Sequence, residues 1–334
     1  MLSTVQNCRS CVWRDGAEVA RDFPLEDLDQ WLGDEANLVW LDLLAPDEAR
    51  LSELAGELGF DPLAVEDAIE PMERPKATLH AHHTFLTCYS VMVVDADHPG
   101  VHVQLGRISA FVLPNALITV RSSEQVDVDR ILDRWNTDGL LGHGVAALVH
   151  GMLDELVDGH FETIQLLDDE LESLEDMLFD SRRRPAEVQQ RVFGLRKALV
   201  QLRRVVLPMR EVVGAVMRFR ADRPRPLSSE LDGYFNDLYD HVIRAAEWTE
   251  SLRDMVTSIF ETNLSLQDAR LNEIMKKLAA WAAIIAVPTA VTGWFGQNVP
   301  YPGYGEVGGM VGSVIAILIG SVGLYFVFRK FDWL

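Results

Sequence analysis

The chain has 334 residues, 51 of them acidic and 30 basic, for a formal net charge of −21. That excess of carboxylates excludes a nucleic-acid partner, which needs a basic face, and it suits a protein that draws cations. The three cysteines, Cys8, Cys11 and Cys88, provide no disulfide framework and fit a reducing compartment.

The first segment, MLSTVQNCRSCVWRDG, has no long apolar run, so no signal peptide is expected. Cys8 and Cys11 form a lone C-x-x-C, with His80, His82 and His83 as distant potential ligands and no second cysteine pair. Residues 1–140 read as one cytoplasmic α+β domain. Apolar, β-branched runs predict strands at Leu38–Leu44, Thr84–Val94, Val101–Leu113 and Ala116–Val120. Turn signals at Asp97–Gly100 and Pro114-Asn115 separate them, and the last two runs predict a hairpin. Helical spacing predicts helices over Asp47–Leu58, Pro62–Ile69 and Glu124–Trp135.

Residues 141–277 read as a long-helix bundle and stalk. Ala146–Phe179 and Ala186–Phe219 form two helices, broken at Arg182–Pro185, with a kink expected at Pro208. Asp222–Pro226 ends the second. A third helix starts with Ser228 as its N-cap and meets no proline until Pro288, with Gly233 the only glycine between. Some 65 residues at 1.5 Å each give roughly 100 Å, a length that calls for bundling with other copies.

Two charge-free segments follow, residues 278–295 and 310–328, joined by a loop over 296–309 and followed by a basic end at 329–334. Each approaches the roughly 20 residues needed to cross a bilayer. Lys276 and Lys277 precede the first, Arg329 and Lys330 follow the second, and the loop has no Lys or Arg. The positive-inside rule puts both termini in the cytoplasm and the loop outside, in a multi-pass protein of the inner (plasma) membrane. Two helices cannot enclose a polar path, so a pore needs several copies around an axis. Met275, Leu278, Ala282, Ala286, Thr289, Gly293 and Gly296 share one nearly uncharged face of the first span, the expected pore lining. Gly308, Gly312, Ala316 and Gly320 give the second a small-xxx-small packing face. In the loop, Gly296-Gln297-Asn298 offers amide oxygens. A ring of Asn298 carbonyls can hold a hydrated cation through its water shell, which suits Mg2+. Glu306, the loop's only charge, would concentrate cations at the outer mouth.

LNEIMKKLAAWAAIIAVPTAVTGWFGQN, with a second span and a terminal RKFDWL, resembles the CorA family of Mg2+/Co2+ channels, which also has a zinc-transporting branch. RRVVLPMREVV (203–213), YFNDLYDHVIR (234–244) and VEDAIEPMERPK (65–76) are similar to its stalk and N-terminal domain. The resemblance implies a funnel-shaped homopentamer with a cytoplasmic α+β domain, long stalk helices and a C-terminal two-helix transmembrane hairpin. It implies a selectivity filter at Gly296, Gln297 and Asn298, where Gln297 replaces the family's methionine. It also implies a gate along Met275, Leu278, Ala282 and Ala286, an inner polar ring at Thr289, and a basic collar at Lys276 and Lys277. Regulatory Mg2+ would sit between subunits at Glu66, Asp67, Asp154, Asp237 and His241.

The expected function is therefore a channel for Mg2+, with Co2+ as a further cargo, driven by the membrane potential and closed by cytoplasmic Mg2+. A zinc transporter of the same architecture, with or without proton coupling, is the alternative. A membrane-anchored divalent-ion sensor or scaffold is a more distant one. No P-loop supports nucleotide coupling, and no nucleophile–base constellation supports an enzyme.

Overall fold

The computed structural model describes residues 8–71, 73–94, 101–179, 185–221, 229–297 and 300–334. The sequence-predicted features at Asp97–Gly100, Arg182–Arg184, Asp222–Pro226, Ser228 and Asn298 lie outside them. The chain divides into two units, Met1–Ile259 and Phe260–Leu334.

The first unit is built on strands β1 (Cys8–Arg14), β2 (Ala17–Arg21), β3 (Asn37–Leu44), β4 (Lys76–Leu79), β5 (Thr84–Val94), β6 (His102–Val112) and β7 (Ala116–Arg121). They form one sheet in the order β2-β1-β3-β7-β6-β5-β4. Only β3 and β7 pair in parallel; the other neighbours are antiparallel. The two parallel strands are central and buried along nearly their whole length, which is why they read as continuous apolar runs. β1 and β2 join through Asp15-Gly16, both at positive φ, as a two-residue hairpin turn requires.

Period-two alternation divides the apolar side chains between the faces. Val39, Leu41, Phe85, Phe111 and Ile118 pack beneath α2 (Glu48–Leu58) and α3 (Pro62–Ile69), near the short α1 (Leu28–Leu32). On the other face, Trp13, Trp40, Leu86, Ile108 and Leu117 pack against α4 (Val128–Thr137), α5 (Val145–Phe179), α6 (Pro185–Ala221) and the first part of α7 (Ser229–Phe295). Trp135 meets Trp13 and Trp40 edge-on there. α2 is capped by Asp47, which accepts from Arg50 N at 2.7 Å, and ends at Gly59 in the left-handed region. α3 is capped by Asp61, with Pro62 in its first turn.

α4 begins four residues later than the periodicity predicts. Gln125 O accepts from Ser90 Oγ and Val126 O from Arg121, so both carbonyls are committed elsewhere, and Asp127 caps the helix through the amides of Asp129 and Arg130. α6 continues through Pro208.

α5 closes an open edge of the sheet. β4 pairs only with Thr84–Thr87 of β5, and beyond it the carbonyls of Tyr89 and Val91 accept from His160 Nε2 (2.8 Å) and Thr163 Oγ1 (3.1 Å) of α5. Burial pushes the His160 pKa down to about 4. That is below its ordinary unfolded value of about 6.5, so the unfolded chain takes up the proton first as the pH falls. The stability this neutral histidine confers is complete above about pH 6.5 and is lost on acidification toward about pH 4; at pH 5 the loss is about 2 kcal/mol. A His160→Gln chain keeps an N–H donor without the titration. Thermal melts at pH 7.5 and 5 should show a smaller acid shift in that variant than in the wild type, and equal shifts would refute the assignment.

Candidate functional site

The second unit holds the end of α7 and the whole of α8 (Val307–Lys330), the two described helices long and apolar enough to cross a membrane. Along α7, Ala280 is buried and Ala283, Ile284, Val287, Pro288, Val291 and Phe295 are half-buried, spaced as one helical face. On α8 the matching half-buried positions are Ser313, Ile317, Gly320, Ser321, Leu324, Tyr325 and Phe328. Gly320 is the close approach: a Cβ there would lie 2.7 Å from Val287 Cγ1. Of the predicted small-residue face, only Gly320 is used within the chain; Gly308, Gly312 and Ala316 are exposed, because the packed stripe runs through Gly320 along a different row.

The predicted lining residues fall on the opposite face of α7. Met275, Leu278, Ala282, Ala286, Thr289 and Gly293 are all exposed, as are Gly296 and Gln297 beyond the helix end. The Thr289 hydroxyl bonds back to Ile285 O at 3.2 Å, one residue after Pro288 removes a backbone donor. Lys276 and Lys277 are exposed directly before the span. Lys277 is paired with Glu273 at 2.7 Å, and that hydrogen bond holds the Glu273 carboxyl below its usual range. The Glu273 partner of Lys277 was missed by sequence reasoning, although its i,i+4 spacing signals it. Glu306 is exposed at the N-cap position of α8 and gives no side-chain cap.

The predicted regulatory residues divide between two clusters of the first unit. Asp154 and Asp158 of α5 and His241 of α7 bring potential ligand atoms within 4.8 Å of one another. Asp237 lies 3.7 Å from His241, one turn away. Arg134 of α4 joins this cluster, bonding Asp154, Asp158 and, at 3.1 Å, Glu155. Burial pushes the Asp154 carboxyl up against the opposing pull of Arg134, and pushes the neighbouring His150 down. Asp158 follows Asp154 by four residues on one helix and was legible from that spacing; Arg134, twenty residues away on another helix, was not.

In the second cluster Asp67 joins Glu70 and Glu73, and Lys76 bridges Asp67 (2.7 Å) and Glu73 (3.1 Å). Glu66 is exposed and belongs to neither group, because adjacent residues on α3 point about 100° apart. Both clusters therefore bring hard oxygen ligands together, and both already hold a protein cation. Cys8 and Cys11, in contrast, lie on opposite faces of β1, one packing with the α2–α3 core and the other with the α4–α7 core, so they cannot chelate one ion.

Comparison with known proteins matches the family described as CorA-like Mg2+ transporter protein over residues 35–330. The Cobalt/magnesium transport protein CorA of Thermotoga maritima is 27% identical, over 95% of this chain and 90% of that protein. The Zinc transport protein ZntB of Yersinia enterocolitica is 26% identical, over 88% of this chain and 86% of its own. The complete structure of the CorA magnesium transporter from Methanocaldococcus jannaschii superposes with a TM-score of 0.76 at 22% identity, covering 100% of both chains.

Proposed function

The chain belongs to the CorA-like Mg2+ transporter family, and from that membership we propose that it is a homopentameric Mg2+ channel that also passes Co2+. The observation that carries the reading is the face of α7 that its own hairpin leaves uncovered. Met275, Leu278, Ala282, Ala286, Thr289 and Gly293 are turned away from the row that packs with α8, and the face leads to Gly296-Gln297-Asn298. Five such faces around an axis would enclose a narrow conduit with an amide ring at its outer end and Glu306 nearby to attract cations. Mg2+ gives up its waters reluctantly, and neutral amide oxygens can hold it without stripping them. Moving two charges inward gains about 4.6 kcal/mol per 100 mV, so the membrane potential suffices as driving force. The positive-inside pattern orients both termini toward the cytoplasm.

The acidic groups support closure by internal Mg2+ as part of this reading. Carboxylates from adjacent copies, with Glu66, Asp67, Asp154, Asp237 and His241 as ligands, repel unless a divalent ion lies between them. Loss of the ion loosens the interface, and α7 is continuous from Asp237 to the lining residues. A regulatory ion at Asp67 or Asp154 competes with Lys76 or Arg134 for the same oxygens.

Gln297 and the similarity to the zinc transport protein favour one second reading, a Zn2+ transporter of the same fold. Competing uptake of Mg2+ and Zn2+ by the full chain in liposomes, with and without a pH gradient, separates them. The channel reading expects Mg2+ uptake that needs no pH gradient and falls as internal Mg2+ rises. Zn2+ uptake that requires the gradient, without Mg2+ uptake, establishes the second.

A further inference from the structure

The outer end of α7 terminates in a contact that neither the lining face nor the acidic clusters use. The last four carbonyls of a helix lack intrahelical partners. Here Gly296 N returns to Thr292 O at 2.8 Å, and Gln297 N reaches Trp294 O at 3.4 Å. The carbonyl of Phe295, the last helical residue, instead accepts from the Tyr301 hydroxyl at 3.0 Å. The two rings meet edge-on at 5.2 Å, and Tyr301 meets Tyr304 edge-on at 5.4 Å. Tyr301 O accepts from Tyr304 N at 2.9 Å. The same loop is seated on the start of α8. Glu306 N bonds Gly303 O at 3.1 Å, and a Cβ on Gly309 would lie only 2.4 Å from that oxygen, so nothing larger than glycine fits. Tyr301 thus ties the end of one span to the beginning of the next, across the segment that carries Gly296 and Gln297.

We propose that Tyr301 is a positioning residue for ion selectivity: its hydroxyl withdraws the Phe295 carbonyl from cations and fixes the helix end from which Gly296 and Gln297 project. This rests on the reading of the outer loop as the ion filter. A carbonyl at a helix C-terminus carries the negative end of the dipole and is a hard oxygen ligand. Left free at the filter, it gives an inner-shell ligand to ions that shed water easily, Ca2+ above all. Mg2+, which keeps its shell, gains little. The clamp therefore acts against Ca2+ rather than for Mg2+.

The test is Tyr301→Phe in the full chain, reconstituted in liposomes, with Mg2+ and Ca2+ uptake measured in parallel and assembly followed by light scattering. The substitution keeps the ring contacts and removes one donor. The Mg2+-to-Ca2+ flux ratio should fall about fivefold, the factor that corresponds to one net hydrogen bond, with assembly unchanged. Tyr304→Phe removes a hydroxyl that has no side-chain partner among the described residues, and should leave the ratio as it was. An unchanged ratio in Tyr301→Phe, an equal shift in Tyr304→Phe, or a Tyr301→Phe chain that no longer assembles would each overturn the proposal. Asn298→Ala distinguishes its failure from that of the filter reading. If Asn298→Ala abolishes flux while Tyr301→Phe is silent, only the clamp is wrong; if both are silent, the filter reading goes as well.

Discussion

Replacing Asn298 by Ala should reduce Mg2+ uptake about tenfold or more while the chain still assembles, because a hydrogen bond to a charged group is worth about 1.5–3 kcal/mol and every copy loses one. The side chain in question is the only asparagine between the two spans, and its amide oxygen is the natural acceptor for the waters of a hydrated cation. Assembly should survive because the hairpin is held elsewhere, by rows such as Val287 against Gly320. Flux is read with a Mg2+-sensitive dye inside the liposomes, under a potassium diffusion potential, and oligomer mass by light scattering. A variant that transports like the wild type would remove the filter from the proposal. It would also favour the reading of the hairpin as a mere anchor, to which this amide should be indifferent.

Much of this architecture is legible in the sequence, and the limits are physical. The membrane hairpin, α2, α3 and α5 follow from period and charge alone, since each buries one stripe or lies in a uniform medium. The strands β3, β5, β6 and β7 read as apolar runs because helices cover the sheet on both faces. β1 did not: CRSCVWR mixes polar and apolar residues, and its signal was the following Asp15-Gly16, a hairpin turn rather than a strand pattern. β2 and β4 are short edge strands with mostly exposed side chains, so they carry little periodicity. The acidic clusters were half legible. Helical spacing links Asp154 to Asp158 and Asp67 to Glu70, but nothing local announces that Arg134 and Lys76 occupy them. Those ion pairs depend on how α4 lies on α5, and on where the chain goes after α3.

The same limit applies to the ion pair expected to matter most for stability. Arg121 at the end of β7 and Asp42 of β3 are 79 residues apart and become neighbours through the parallel pairing. Both are buried; Arg121 Nε and Nη2 reach Asp42 at 2.9 and 2.7 Å. Thr119 donates to the same carboxylate at 2.7 Å, and Trp40 Nε1 bonds Thr119 at 3.1 Å. Arg121 Nη1 also bonds Val126 O at 3.1 Å, just before the Asp127 cap of α4. The guanidinium therefore neutralises a buried charge and fixes the start of the helix that carries Arg134 into the Asp154 cluster. Arg121→Ala should cost about 3–5 kcal/mol, because it strands an unpaired carboxylate in the core. The double change Arg121→Met with Asp42→Leu should recover most of that loss, since an apolar pair of similar volume avoids the desolvation. Chemical unfolding of the wild type, the single and the double variants measures both. If the single variant loses less than about 1 kcal/mol, the size of an exposed pair, the carboxylate is not confined as the geometry requires. If the double variant is as unstable as the single one, the loss lies in the α4 anchor and not in the stranded charge, and the Arg134 cluster should then be disturbed in both.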